Sequence, residues 1–225
     1  LTITAVSGSI TDGSAMLAGE DIDVAGNALF VVSNAVDGSV ITINDDTNSF
    51  GGTVTADGYD ILLGFSGGQE LGTINAAGDF DVEAGGDLLG GTVFVMGTSD
   101  LSSAGSITLT DAGNDFQGTV NAQFNDPEVP NTDQTIDIFD STDLDLVVGS
   151  ADAVVDEGGN LVVGTSQFVN AASGGDLTFT AFGPAVVLES EGAINIVQAV
   201  ASTFEATAVN DITGQLVVAT DAAVL

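Results

Sequence analysis

Three short stretches of this chain gather oxygen ligands: Asn44-Asp45-Asp46-Thr47-Asn48, Asp111–Asp115 and Asn125-Asp126-Pro127-Glu128. Carboxylate and amide oxygens grouped in turns are the chemistry that holds a hard cation such as Ca2+. The expected ligands are Asp45, Asp46 and Asn48 in the first stretch, and Asp111, Asn114 and Asp115 in the second. Neither an EF-hand loop nor a G-G-x-G-x-D nonapeptide occurs, so Ca2+ or another divalent cation is an optional occupant, not a required cofactor. Turns also favour Asp and Asn without any metal, because these side chains bond to nearby backbone.

Other chemistries lack their residues. The chain has no His, Lys, Arg or Cys. A Ser or Cys triad has no base, and thiolate metal sites have no ligand. Carboxylate pairs of the glycosidase kind remain. With 33 acidic residues spread along the sequence, no pair stands out. The expectation is that the chain is not an enzyme.

The same absences bound its partners. An average chain of this length carries roughly 25 basic residues; this one carries none and has a net charge of −33. Nothing can neutralise phosphates, which excludes nucleic acid and an anionic membrane surface. No apolar run reaches the length of a membrane span. Such a chain repels itself and settles better with salt or divalent cations. It offers trypsin-like proteases no cleavage site. These features suit an extracellular or cell-surface setting.

The acidic turns must sit between elements, and the elements are strands. The apolar residues are largely Val, Ile, Leu, Ala and Phe, with 30 Gly and 3 Pro, a vocabulary of strands and tight turns. Residues 41–56 read ITINDDTNSFGGTVTA and residues 107–122 read ITLTDAGNDFQGTVNA, identical at nine of sixteen positions without a gap. A degraded third version is INIVQAVASTFEATAV, residues 194–209. Within the phrase Phe50, Gly52, Val54 and Ala56 alternate with Gly51, Thr53 and Thr55, which predicts a half-buried strand. Phe50 and Phe116 are expected to point inward at matching corners.

The first half of the phrase recurs more often. Its apolar anchors are Ile3, Ile22, Ile41, Ile61, Phe80, Ile107, Leu144, Leu161, Leu177, Ile194 and Ile212. A period of 16–20 residues with two or three short strands is one coil of a β-solenoid. The fold class expected is therefore all-β: one continuous single-stranded parallel β-solenoid (β-helix) over 1–225, with about 11–12 coils. Coils about 4.8 Å apart make a rod roughly 55 Å long. The stretch QFNDPEVPNTDQ, residues 123–134, reads as a loop excursion from it. Tandem β-sandwiches are the alternative, but they do not require one spacing to persist over ten elements.

Stacking makes a further expectation about charge. Outward residues of the anchor strands include Thr42, Leu62, Asp81, Thr108 and Asp145. Residues preceding the anchors include Asp60, Asp79, Asp143, Asn160 and Asp176. In this register Asp seldom follows Asp, with Asp60 and Asp79 the exception. Two bare carboxylates about 5 Å apart in water repel by roughly 1 kcal/mol, and interleaved Thr, Asn and apolar residues relieve that. The pairs Thr2/Thr4, Thr108/Thr110 and Thr178/Thr180 would suit a flat ice-binding face, but Asp, Leu and Val interrupt the column.

The phrase ITLTDAGNDFQGTVNA, together with G-D-[ILF]-x-[VF] strand starts such as Gly78-Asp79-Phe80-Asp81-Val82 and Gly175-Asp176-Leu177-Thr178-Phe179, resembles the repeats of large bacterial surface proteins. These are the filamentous-haemagglutinin-like and autotransporter-like adhesins. The resemblance implies a right-handed parallel β-helix and a place in the shaft of a bacterial surface protein.

The functional expectation is a structural subunit or shaft segment of an extracellular or cell-surface fibre. Leu1–Val6 and Leu216–Thr220 both read as coil strands without a polar cap. The expected partner is therefore the chain itself, stacked head to tail through uncapped terminal coils, or a longer parent chain. An adhesin-type binding module, with carbohydrate or a host surface as ligand and the 123–134 excursion as contact, is the alternative. Exposed aromatics would favour it, and the chain has one Tyr (Tyr59) and no Trp.

Overall fold

The computed structural model describes residues 1–12, 21–125, 134–150, 154–155, 161–162, 168–182, 185–200, 203–218 and 223–224. Among them there is no helix, so no helix is long and apolar enough to cross a membrane. The strands form a parallel β-solenoid with two long walls.

One wall is a ten-stranded parallel sheet. In stacking order it holds Ile10–Thr11, Val40–Ile43, Asp60–Phe65, Phe80–Ala84, Ser99–Ser103, Thr119–Phe124, Leu144–Ser150, Leu177–Phe182, Ile194–Val200 and Ile212–Val218. The facing wall stacks eleven strands: Thr2–Ala5, Ala28–Val32, Val54–Gly58, Gln69–Ala76, Leu88–Leu89, Ile107–Leu109, Thr135–Asp140, Phe168–Ser173, Ala185–Ser190, Thr203–Ala208 and Ala223–Val224. Short strands close a third side in the N-terminal half: Asp23–Val24 pairs with Ser49–Phe50, and Val93–Val95 with Asp115–Phe116.

Alternation builds the core. Phe80–Ala84 buries every second residue and exposes the others, and Ala28–Val32 repeats the rhythm. Because coils stack in parallel register, like sits on like inside. Ile43, Leu63, Val82, Leu101, Ala122 and Val148 form one buried column. Phe50 packs edge-on between Phe30 and Phe65, with ring centroids 6.0 and 5.8 Å away. Phe50 and Phe116 are both interior, at 7% and 1% exposure.

The repeated phrase turns out to lie on opposite walls. Its first copy starts in the ten-stranded wall (Val40–Ile43) and ends in the eleven-step wall (Val54–Gly58). Its second starts in the eleven-step wall (Ile107–Leu109) and ends in the ten-stranded one (Thr119–Phe124). The register advances by 20, 19 and 19 residues per coil through Ile41, Ile61, Phe80 and Ser99. A separation of 66 residues is thus about three and a half coils. Both walls accept the same alternation, so the phrase fits either corner.

This corrects the anchor series. Ile41, Ile61 and Phe80 stack as expected, and so do Leu144, Leu177, Ile194 and Ile212. Ile3 and Ile107 belong to the other wall. Ile22 precedes a two-residue strand on the third side. Leu161 pairs antiparallel with Val155, in a connection that lengthens one coil to the 33 residues between Leu144 and Leu177. Half-coil offsets and insertions mimic a single period because both walls carry the same pattern. Of the excursion at 123–134, residues 126–133 lie outside the described residues; Gln123 and Phe124 finish a wall strand, and Gln134 Nε2 donates to Ala104 O at 2.6 Å.

Removing a luminal ring tests the packing. Phe116→Ala should cost about 3–5 kcal/mol in denaturant unfolding. A loss under about 1 kcal/mol would contradict the interior placement.

Candidate functional site

The two acidic turns share one construction, and it turns the asparagines inward. Asn48 and Asn114 are completely buried. Asn48 Oδ1 accepts Ile22 N–H at 2.9 Å, and its Nδ2 donates to Asp12 Oδ2 at 2.9 Å. Asn114 Oδ1 accepts Val93 N–H at 2.8 Å, and its Nδ2 donates to Leu109 O at 2.9 Å and Phe139 O at 3.3 Å. Each asparagine's carbonyl then receives both the N–H and the hydroxyl of a serine in the next coil: Ser66 for Asn48, Ser141 for Asn114.

The neighbouring carboxylates have different tasks. Asp45 Oδ1 accepts Thr47 N–H at 3.0 Å, and the Thr47 hydroxyl lies 2.6 Å from it and 2.5 Å from Asp21 Oδ1. These bonds, the hydroxyl first, hold the Asp45 carboxyl below its ordinary range. Asp111 Oδ1 accepts Gly113 N–H at 2.9 Å and the Thr92 hydroxyl at 3.1 Å. Asp115 Oδ1 accepts the Thr142 hydroxyl at 3.2 Å, and Asp46 is exposed. Among the described residues no three carboxylates converge as metal ligands.

The working carboxylates are elsewhere, at strand starts. Asp60 Oδ1 accepts Asp79 N–H at 3.0 Å, and Asp79 Oδ1 accepts Thr98 N–H at 2.8 Å, one coil further each time. Asp87 does the same for Ser106, Asp143 for Asp176, and Asp176 for Ala193, all at 2.8 Å. Each bond pairs an N–H at a corner, where the wall ladder has ended. The residue before each donor is glycine: Gly78, Gly97, Gly105, Gly175 and Gly192. A Cβ on any of them would run into the Oδ1 below it. The G-D strand start is thus a two-coil device, in which the carboxylate occupies the space a side chain would need.

Serine supports the same corners from inside. The hydroxyls of Ser103, Ser173 and Ser190 accept the N–H of Gly105, Gly175 and Gly192. The signal that reveals this set is Ser-x-Gly ahead of a strand start.

Stacked acids do occur. Asp81 and Asp100 are direct register partners, and Asp143 neighbours Asp176, because Leu144 pairs directly with Leu177. The expectation that stacking avoids Asp on Asp therefore fails. Asp143 and Asp176 tolerate contact because each takes an N–H. Asp100 takes the Asn121 amide at 2.7 Å. Asp81 reaches solvent, but its packed neighbours partly desolvate its carboxyl; that desolvation, then the Asp100 charge, then Glu83 push it up. Burial also pushes up Asp140, which is fully interior, against the opposing N–H bonds from Thr142 at 2.6 Å and Phe116 at 2.7 Å.

One corner row carries the surface relief. Gly78 N–H bonds to Tyr59 O, Gly97 N–H bonds to Gly78 O, and a Cβ on Gly118 would collide with Gly97 O. Tyr59, Gly78, Gly97 and Gly118 therefore succeed one another up the solenoid. A depression of about 420 Å³ lies at the Tyr59 end, edged by Asp37, Asp60, Asp79 and Met96. Another of about 400 Å³ lies at the Gly118 end, edged by Asp143, Asp145 and Asp176.

Comparison with known proteins gives one match. Residues 59–123 fit a family model described as repeats of unknown function (DUF5649). No curated protein and no solved structure matches the chain. The matched segment runs from Tyr59 to just past Gly118.

Two measurements test this chemistry. Asp81 and Asp140 keep their protons to higher pH when folded than when unfolded, so stability falls as pH rises through the window above the ordinary carboxyl value of 3.8. Asp45 acts oppositely, and its contribution disappears only as pH falls below that value. Thermal stability should therefore rise as pH is lowered from neutral towards the ordinary carboxyl value of 3.8, and Asp81→Asn should shrink that rise; a flat profile would contradict the assignment. For the corner device, Gly175→Ala should cost about 1–3 kcal/mol in the native chain and clearly less in an Asp143→Ala background, where the blocking oxygen is gone. Additive effects would show that the carboxylate does not fill the glycine's space.

Proposed function

We propose that this chain is a segment of the structural shaft of an extracellular or cell-surface fibre of a bacterium. The observation that carries the reading is the parallel ladder on two walls. Successive coils present to the next a parallel pairing edge and a luminal apolar column, joined at corners by the carboxylates of Asp60, Asp79, Asp87, Asp143 and Asp176. Such a unit grows along one axis by repetition, which is what a shaft requires. Eleven stacked strands correspond to a rod of about 50 Å.

Three further features support it. The core is aliphatic and aromatic over the length of the described walls. The sequence has no Lys or Arg for trypsin-like proteases to cut. The strand-start and turn repeats resemble those of filamentous-haemagglutinin-like and autotransporter-like shafts. Extension comes either from further coils of a longer parent chain or from copies stacked coil on coil. A head-to-tail contact between copies does not close on itself, so it propagates as a filament. Divalent cations favour such growth by screening the −33 charge. A second reading, an adhesive module on the same scaffold, is favoured by the depression beside Tyr59.

Electron microscopy and light scattering of the 225-residue chain, in low salt and in millimolar Ca2+, test the proposal. Elongated particles are expected, lengthening with protein concentration in Ca2+. Monodisperse rods that never lengthen would remove the self-stacking form. Compact particles would remove the shaft reading altogether.

A further inference from the structure

Three Asp-Gly pairs stand in the chain: Asp12-Gly13, Asp37-Gly38 and Asp57-Gly58. Such a pair is the least hindered against ring closure, because the attacking amide belongs to a residue with no side chain. We propose that Asp37 is a modification site, at which the folded protein rearranges spontaneously to isoaspartate, and that the fold shields Asp57 from the same reaction. This goes beyond the shaft reading and does not rest on it, since a single turn contains the whole site.

The step needs no co-reactant but water. The Gly38 amide nitrogen attacks Cγ of the neutral Asp37 carboxyl and forms an N–Cγ bond. One carboxyl oxygen leaves as water, taking the carboxyl proton and the amide proton. Water then adds to the resulting succinimide. Opening at Cγ restores aspartate. Opening at the main-chain carbonyl carbon frees that carbon as a carboxylate and leaves the backbone running through Cβ and Cγ. Mass and charge are unchanged, and nothing is oxidised or reduced.

The turn meets what the step requires. Residues 36–39 form a β-turn closed by Ser39 N–H to Val36 O at 2.8 Å. Gly38 holds its third position with φ of +84°, as a type II turn demands. Asp37 and Gly38 are both exposed. Beyond its chain neighbours, no atom lies within 4 Å of where a Gly38 Cβ would stand, so the ring and the incoming water have room. Among the described residues neither the Asp37 carboxyl nor the Gly38 N–H has a hydrogen-bond partner, so neither must be freed first.

The Asp57 side chain is also exposed, but its backbone is not available. Gly58 is buried at the end of the wall strand Val54–Gly58, where Asp57 and Gly58 pair with Asn75 and Ala76. Asp57 Oδ1 accepts the Asn75 amide at 3.0 Å. Ile41 Cδ1 lies 2.8 Å from where a Gly58 Cβ would stand. Ring closure there has to unpair the wall. Asp12 is held as well, since its Oδ2 accepts the Asn48 amide at 2.9 Å and Asp45 N–H at 3.3 Å; Gly13 lies outside the described residues.

The product has a structural consequence. It lengthens the backbone by one methylene inside a turn that Ser39 clamps: the hydroxyl accepts Val36 N–H at 3.0 Å and donates to Val36 O at 2.7 Å. The wall strand Val40–Ile43 follows directly. An aged chain therefore loosens where it enters that strand.

The 225-residue chain is aged at neutral pH and physiological temperature, native and in denaturant. Electron-transfer fragmentation then separates isoaspartate from aspartate position by position. Isoaspartate should accumulate at Asp37 and not at Asp57 in the native chain, and at both in denaturant. Asp37→Glu, which needs a six-membered ring, should lose the native signal. Asp37→Asn should speed it, with ammonia leaving in place of water. Both substitutions fall on an exposed turn position. Amide exchange of the aged native chain should show a faster-exchanging population over Val40–Ile43 that grows with the isoaspartate content and is absent from aged Asp37→Glu. The proposal is overturned if native Asp37 stays unmodified over the time in which the denatured chain reacts. It is also overturned if native Asp57 reacts as readily as Asp37, or if Val40–Ile43 exchanges alike in modified and unmodified chains.

Discussion

Each coil of this protein must turn between its walls and still pair its corner N–H groups, with no Lys, Arg or His side chain anywhere in the chain. The bond from a corner Asp Oδ1 to the backbone N–H of the next coil meets that requirement at Asp60, Asp79, Asp87, Asp143 and Asp176. It also disperses the charge, because each such carboxylate faces a donor rather than another bare carboxylate. The geometry fixes two residues per step, an acid below and a glycine above, and so dictates the G-D strand start. The walls can then stack in one register, and that register lines up the luminal columns. A neutral corner residue performs the same task once: Asn27 Oδ1 accepts Thr53 N–H at 3.2 Å, again beneath a glycine, Gly52.

From that constraint follows the two-walled coil and its tolerance of unequal lengths. Coils measure 17 residues from Leu177 to Ile194 and 33 from Leu144 to Leu177, yet the corner bonds from Asp143 and Asp176 are alike. Extra residues can be accommodated between corners without disturbing the stack. The Asn48 and Asn114 turns show the same economy, one local device serving opposite corners half a coil apart. What the described residues leave on the outside is an acidic surface with a depression edged by Tyr59.

Much of this was legible in the sequence, and the misreadings have a common cause. Alternation within one strand is local, so the burial of Phe50 and Phe116 and the parallel solenoid could be read directly. Assignment to a wall is not local: both walls carry the same apolar–polar rhythm, so Ile3, Ile107 and Leu161 passed for members of one column. The Asp81–Asp100 stack was hidden for the same reason, since Ile107 rather than Ser99 was placed above Phe80. Asn48 and Asn114 were read as ligands because an asparagine in an acidic turn has the same sequence context whether its amide points out to a cation or in to a backbone N–H. The G-D motif was visible, but its reason spans two coils and shows only when Gly175 is seen above Asp143.

Amide hydrogen exchange is the most direct measurement of the central claim. The corner amides of Thr98, Ser106, Asp176 and Ala193 lie outside the wall strands and have no ladder partner but the carboxylate below. The account predicts protection of the same order as the neighbouring wall amides, with Asp79→Ala releasing Thr98 while Ser106 stays protected. Corner amides exchanging as fast as those of an open turn, beside fully protected wall amides, would contradict it.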